Sequence, residues 1–111
     1  MRTIVSLAAA LVLSAGALAP TAFADDSLEQ VLVESASTPK DHAALAHYYQ
    51  GKAARSRKEA ESHRVMARTY SGAKAPQVAA MKEHCDKLAA SAESEAKEYD
   101  ALAAAHQTMA K

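Results

Sequence analysis

The fold is decided by residues 38–70, which read TPKDHAALAHYYQGKAARSRKEAESHRVMARTY. Thr38 is a residue type that caps helices well, and Pro39 suits the first helical position because it has no amide hydrogen to leave unpaired. Asp41 stands at the third helical position, where its carboxylate can close a capping box with Thr38. The sequence therefore predicts a helix that begins at Pro39.

The end of this helix and the start of the next are also marked in the sequence. Gly72 is suited to the left-handed conformation that ends many helices, and Pro76 is suited to open a new one. We expect long helices over residues 39–71 and 76–110. Since the connection between them is short, they should lie side by side in opposite directions.

The two predicted helices are related by an internal repeat. A shift of 43 residues places Leu45 on Leu88 and the His63–Ala67 segment on His106–Ala110. Alanines recur every seven residues in both copies, which is the spacing of a coiled-coil contact and permits close approach of two helices. These alanine columns are Ala46, Ala53, Ala60, Ala67 and Ala89, Ala96, Ala103, Ala110.

The predicted fold is all-α: an antiparallel two-helix hairpin with an alanine-heptad seam, plus a short helix over residues 25–36. The segment after residue 24 holds 21 alanines but only 16 larger Val, Leu, Met and Tyr side chains. Because alanine buries little apolar area, a single hairpin of this size should be only marginally stable. We expect a homo-oligomer in which dimerisation completes a four-helix bundle.

The first 24 residues have the parts of a secretory signal peptide. Arg2 precedes an apolar run from Ile4 to Leu13, and the small-x-small sequence Ala22-Phe23-Ala24 follows. We predict cleavage after Ala24 and a periplasmic or otherwise secreted location. The domain prediction is a signal peptide over 1–24, a short helix and linker over 25–38, and the hairpin over 39–111.

Composition excludes several classes of protein. The chain has 13 basic and 13 acidic side chains, one Cys and no Trp. The balanced charge argues against nucleic-acid binding, and a single Cys excludes a disulfide scaffold. Beyond the signal peptide, no apolar run reaches the roughly 20 residues that a bilayer span requires. The basic residues concentrate on the first long helix and the acidic ones on the second, so the two faces are either complementary or simply solvated.

Folding the hairpin about residue 74 places soft metal ligands together near the loop. Imidazole, thioether and thiolate donors in one place suit Cu(I) better than Mg²⁺ or Ca²⁺, and Zn²⁺ could use the nitrogen and sulfur donors. Met and Cys are also ordinary core residues, so a packed core without metal is the alternative. The predicted ligands are His63, Met66, Met81, His84 and Cys85.

The same folding brings a second, weaker set of ligands together at the open end of the hairpin. It sets His42 opposite His106, with Met109 one turn further along the second helix. Two facing imidazoles could hold a metal ion, with Met109 or solvent as a further ligand. The alternative is a polar layer that fixes helix register, as buried polar residues do in coiled coils.

Two functions remain after catalysis is considered. Cys85 and His63 could form a nucleophile–base pair, but a thin hairpin offers no concave pocket, so we do not expect an enzyme. One function is a metal-binding protein, with copper as the expected ion, that sequesters the ion or transfers it to a partner protein. The other is a structural or interaction module of the cell envelope, in which histidine layers set register.

Overall fold

The computed structural model describes residues 22–72 and 74–111, and this part of the chain is helical with no strand. The three helices are α1 (Ala22–Ser35), α2 (Pro39–Thr69) and α3 (Pro76–Met109). The prediction of an all-helical chain with one short and two long helices is confirmed. Of the predicted signal peptide, residues 1–21 lie outside the described residues, and α1 starts three residues before the expected position.

The predicted start of α2 is confirmed in detail. The Thr38 hydroxyl accepts a hydrogen bond from the Asp41 amide at 3.2 Å, and the Asp41 carboxylate accepts one from the Thr38 amide at 2.9 Å. A further bond from the Ser37 amide helps to hold the pKa of Asp41 below its ordinary value. At the other end, α2 stops two residues earlier than expected, and Gly72 adopts the predicted left-handed backbone with φ of 83°.

The two long helices pack side by side in opposite directions. As numbers rise along α2, the numbers of the contacted residues on α3 fall. Two salt bridges cross between the helices, from Arg57 to Asp100 and, at 3.1 Å, from Arg64 to Glu93. Two basic side chains of α2 therefore pair with acidic side chains of α3 in this hairpin-like arrangement, although exposed pairs of this kind contribute only about 0–1 kcal/mol each.

Alanine dominates the buried part of the described structure. Ten hydrophobic residues are buried, and eight of them are alanines, the exceptions being Leu45 and Tyr49. Small side chains permit close approach of the helices but remove little apolar area from water. The buried alanines are Ala46, Ala53, Ala60, Ala67, Ala89, Ala92, Ala96 and Ala103.

Helix α1 packs against the open end of the hairpin. Its Leu32, together with Ala36 just beyond its end, packs on a small cluster made by Leu45, Tyr49 and Ala103. Three apolar side chains of α1 remain exposed, Leu28, Val31 and Val33. None of the helices in the described part of the chain is long and apolar enough to cross a membrane.

Candidate metal centre

A pair of histidines joins the two long helices at the end away from the loop. His42 lies near the start of α2 and His106 near the end of α3, and their Nδ1 atoms are 3.0 Å apart. The rings are inclined by only 20°, with centroids 5.3 Å apart. Because the two nitrogens are much closer than the ring centres, the Nδ1 edges of the rings face each other, as the folded sequence predicted.

The separation of the two nitrogens restricts their protonation. A neutral imidazole carries a proton on one ring nitrogen and a lone pair on the other, so one Nδ1 can donate and the other accept. If both rings were positively charged, two N–H groups would face each other without an acceptor. Burial, and then the charge of His42, lower the pKa of His106 below its ordinary value, which favours the neutral ring at neutral pH.

Two tyrosines line the inner side of the histidine pair. The centre of the buried Tyr49 ring lies 5.6 Å from the centre of the His106 ring, and the two ring planes are inclined by 13°. The ring centre of Tyr99 on α3 lies 6.1 Å from that of Tyr49, and the planes of the two rings are inclined by 20°. Both tyrosines occupy the same seven-residue column as the histidine of their helix. The pair therefore sits on aromatic rings that fix its position and shield its inner side from water.

The carboxylate of Glu29 ties α1 to this aromatic layer. It accepts hydrogen bonds from the hydroxyls of Tyr49 at 3.1 Å and Tyr48 at 3.5 Å. The Lys52 ammonium lies 2.5 Å from the same carboxylate and 4.9 Å from the Tyr99 ring centre. Burial, followed by the bond to Glu29, raises the pKa of Tyr49 to about 12.

Lys52 remains charged in this half-buried position. Burial acts to lower its pKa, but hydrogen bonding to Glu29 and Tyr99 outweighs that effect, and the pKa rises above the ordinary lysine value. The result is an ion pair that links α1 to α2 close to the histidine pair. Sequence reasoning paired Tyr49 with Tyr99 but missed Glu29 and Lys52, since nothing in the spacing of α1 shows which of its faces docks.

The histidine pair has few further donors nearby. Met109 follows His106 by three residues, on the same side of α3, and its side chain is half exposed. Across the described ranges, no group of three or more His, Cys, Asp or Glu side chains is arranged to hold a metal ion. A metal ion bound here would therefore have two imidazole ligands, with the Met109 thioether, solvent or an incoming molecule as the others.

The second predicted set, near the loop, is more dispersed. Met66, Met81 and His84 are exposed, while His63 and Cys85 are half-buried. No hydrogen bond joins His63 to Cys85 in the part of the chain that is described. The residue register that pairs His42 with His106 and Tyr49 with Tyr99 also pairs these two positions, but the methionines and His84 lie towards the surface.

His63 nevertheless has an unusual environment. Its Nδ1 atom is buried and finds no hydrogen-bond partner among the described residues. Its Nε2 atom lies 3.7 Å from the Glu59 carboxylate, which is too long for a hydrogen bond. A buried polar atom without a partner costs about 1–3 kcal/mol, so this nitrogen is available to a ligand that can reach it.

This chain matches no protein-family model, no curated protein and no solved structure.

Proposed function

We propose that this chain is an exported metal-binding protein that holds a transition-metal ion, copper in preference to zinc, between its two long helices. The observation that supports this most is the 3.0 Å separation of the His42 and His106 Nδ1 atoms. Two imidazole nitrogens on different helices converge on one point, where a metal ion could replace the shared proton. From the sequence we ranked the ligands near the loop first, a group that we call the loop set (His63, Met66, Met81, His84 and Cys85). The geometry of His42 and His106, which we call the open-end pair, supports that pair instead.

The protonation of the pair suits metal binding. An imidazole must be neutral at the coordinating nitrogen, so metal ions compete with protons for histidine ligands. The pKa of His106 is already lowered by burial and by His42, which reduces that competition at neutral pH. Imidazole with a thioether from Met109 is a donor set that accepts copper and, less well, zinc.

The incomplete set of ligands supports transfer rather than permanent storage. Structural zinc sites are closed by four protein ligands, whereas sites that exchange a ligand keep a position open. Here two imidazoles come from the chain, and Met109 is half exposed beside them. A partner protein could approach this open end and supply the ligands that withdraw the ion. Sequestration would instead require a further donor.

The loop end provides a second position in this proposal. The unpartnered His63 Nδ1 supports a role for His63 with Cys85, the softest donor in the chain. The exposed Met66, Met81 and His84 would have to turn inward to join them. This set is therefore the weaker of the two, and its variants must be measured separately from those of the open-end pair.

We also propose the finer architecture behind this site: an alanine seam between α2 and α3. The complete burial of Ala46, Ala60 and Ala96 supports it. A seam of small residues brings the two backbones close enough for short imidazole side chains to meet. In this account the alanine columns are what place His42 against His106.

An interaction module without metal is the second candidate function. Two observations favour it. The Nδ1 atoms of His42 and His106 can be each other's hydrogen-bond partner, and the His106 ring packs on Tyr49. A self-satisfied polar layer of this kind would fix the register of the two helices and need no ion. The two functions predict opposite results in a metal titration.

The deciding experiment is a Cu(I) titration of reduced, untagged protein against a competing chelator. Wild type should bind one equivalent, and His42→Asn or His106→Asn should weaken binding by more than about tenfold. His47→Asn is the matched control, because His47 is exposed on α2 one turn away from the pair. Circular dichroism checks that each variant remains helical.

Each outcome of this titration has a definite meaning. Loss of binding in His42→Asn with retention in His47→Asn supports the open-end site. Unchanged binding in His42→Asn, but loss in Cys85→Ser with His63→Asn, moves the ion to the loop set and overturns the assignment. Absence of binding in wild type overturns the metal proposal and leaves the interaction module.

A further inference from the structure

Helix α3 carries a row of large apolar side chains that its own hairpin leaves uncovered. Met81, Leu88, Leu102 and Met109 are between 40 and 50% exposed. Their spacing is seven, fourteen and seven residues, so they lie along one side of the helix at heptad positions. Glu95 occupies the heptad position in the middle. We call this row the α3 stripe.

The α3 stripe has the same sequence in both directions. From either end it reads Met, Leu, Glu, Leu, Met at seven-residue steps, with Glu95 at the centre. In a two-fold symmetric interface the same patch of each copy meets its inverted counterpart, so this order sets Met against Met and Leu against Leu, with Glu95 on the axis.

We propose that the α3 stripe is the interface with a second copy of this chain, packed antiparallel about a two-fold axis at Glu95. In this dimer Met81 lies against the second copy's Met109, and Leu88 against its Leu102. Two hairpins joined in this way form a four-helix bundle. The dimer does not require a bound metal, but it shares Met109 and the open end of the hairpin with the proposed metal site.

The α3 stripe supplies about half of the area that a stable dimer needs. From Met81 to Met109 the stripe is about 42 Å long, at about 1.5 Å per residue. At a width of one helix, about 10 Å, it offers on the order of 400 Å² per copy, and the neighbouring side chains would supply the rest of the roughly 800 Å² that is usual for a specific interface. Burial of the stripe would also stabilise the hairpin, because eight of the ten buried hydrophobic residues in the described part of the chain are alanines, which bury little apolar area.

The remaining exposed apolar residues lie where this arrangement would use them. Leu28, Val31 and Val33 are exposed on α1, which packs at the open end, and Val65 and Met66 are exposed towards the loop end of α2. An antiparallel dimer places the open end of one copy beside the loop end of the other. Apolar side chains at the two ends would then cover each other.

Glu95 would act as the polar centre of the interface. Its carboxylate accepts hydrogen bonds from Ser56 at 3.1 Å and from Tyr99 at 3.1 Å, both within its own hairpin. These bonds hold the charge towards α2 instead of pointing it at the second copy. The two glutamates near the axis still repel each other, so Glu95→Gln should tighten the dimer.

The first test measures association by sedimentation velocity in the presence of EDTA together with a Cu(I)-specific chelator, so that neither divalent ions nor Cu(I) can contribute. Leu88→Glu with Leu102→Glu should weaken the dimer by about 100-fold or more. Ala90→Glu with Ala104→Glu is the matched control, because it adds the same charges at the same spacing on exposed positions off the stripe. A wild-type monomer at micromolar concentration, or equal weakening by both pairs, overturns the proposal.

The second test fixes the direction of packing by disulfide cross-linking in a Cys85→Ala background. Glu95→Cys should form a disulfide with itself across the axis. Met81→Cys should cross-link to Met109→Cys when the two variants are mixed, and not to another Met81→Cys chain. Cross-links between identical Met81→Cys chains would show parallel packing and contradict the proposed axis.

Discussion

Tyr49 of α2 and His106 of α3 lie with their rings 5.6 Å apart and inclined by only 13°. This contact connects two features that the sequence presents separately. The Tyr49 hydroxyl donates to Glu29 on α1, while His106 faces His42 across the helix interface. Docking of α1, packing of the long helices and geometry of the histidine pair are thus parts of one arrangement, and each can be tested by a substitution.

The proposed alanine seam predicts that larger side chains at its centre destabilise the fold. Ala60 and Ala96 have no exposed surface, so leucine there must push the helices apart. Ala60→Leu and Ala96→Leu should each destabilise the fold by about 1–3 kcal/mol in urea unfolding. Ala54→Leu and Ala90→Leu, at exposed positions, serve as controls. Equal stability of seam and control variants would show that these alanines do not face the other helix.

The capping box at the start of α2 should contribute measurably to stability. In Thr38→Ala the Asp41 amide loses its side-chain acceptor, and the expected loss is about 1 kcal/mol. Urea unfolding followed by circular dichroism measures this loss. Ser62→Ala, in the exposed middle of α2, should change little. A loss no larger than that of Ser62→Ala would mean that the cap contributes nothing.

The histidine pair predicts that acid weakens the fold. The pKa of His106 is lowered in the folded state, so from about pH 6.5 downward the unfolded chain binds a proton that the folded chain resists. The free energy of unfolding should therefore fall as pH falls through this range. His106→Asn should flatten the dependence there, whereas His47→Asn should not. A wild-type profile that is flat over this range would contradict the burial of His106.

Glu29 should control the docking of α1. Without its carboxylate, Lys52 loses an ion-pair partner and Tyr49 loses a hydrogen-bond acceptor. We expect Glu29→Ala to increase amide hydrogen exchange in α1 while α2 and α3 keep their protection. Glu34→Ala, at an exposed position on the same helix, is the control. Unchanged exchange in Glu29→Ala would show that Leu32 and its apolar contacts suffice to hold α1.

The sequence predicted local structure well because the deciding signals are local. Thr38, Pro39 and Asp41 specify a helix start within four residues, and Gly72 and Pro76 mark the turn. The opposition of His42 and His106 also followed from the sequence, because a heptad column and a short loop limit the register to within one heptad. The observed ends of the long helices differ from the predicted ones by only one or two residues.

The tertiary details could not be predicted in the same way. The docking of Glu29 on Tyr49 and Lys52 depends on which side of α1 meets the hairpin, and the weak amphipathic pattern of α1 does not specify it. The surface position of Met66 and Met81 has a similar origin. Spacing placed them near the loop, but it did not show that both side chains are exposed there.

The most direct test of metal binding between the long helices is the imidazole ¹⁵N spectrum of the protein during addition of Cu(I). We predict that the Nδ1 resonances of His42 and His106 shift together and that both shifts are complete at one equivalent of Cu(I). The resonances of the exposed His47 should not shift. Binding of both nitrogens to one ion would produce this result. Unchanged His42 and His106 resonances at one equivalent would contradict the account.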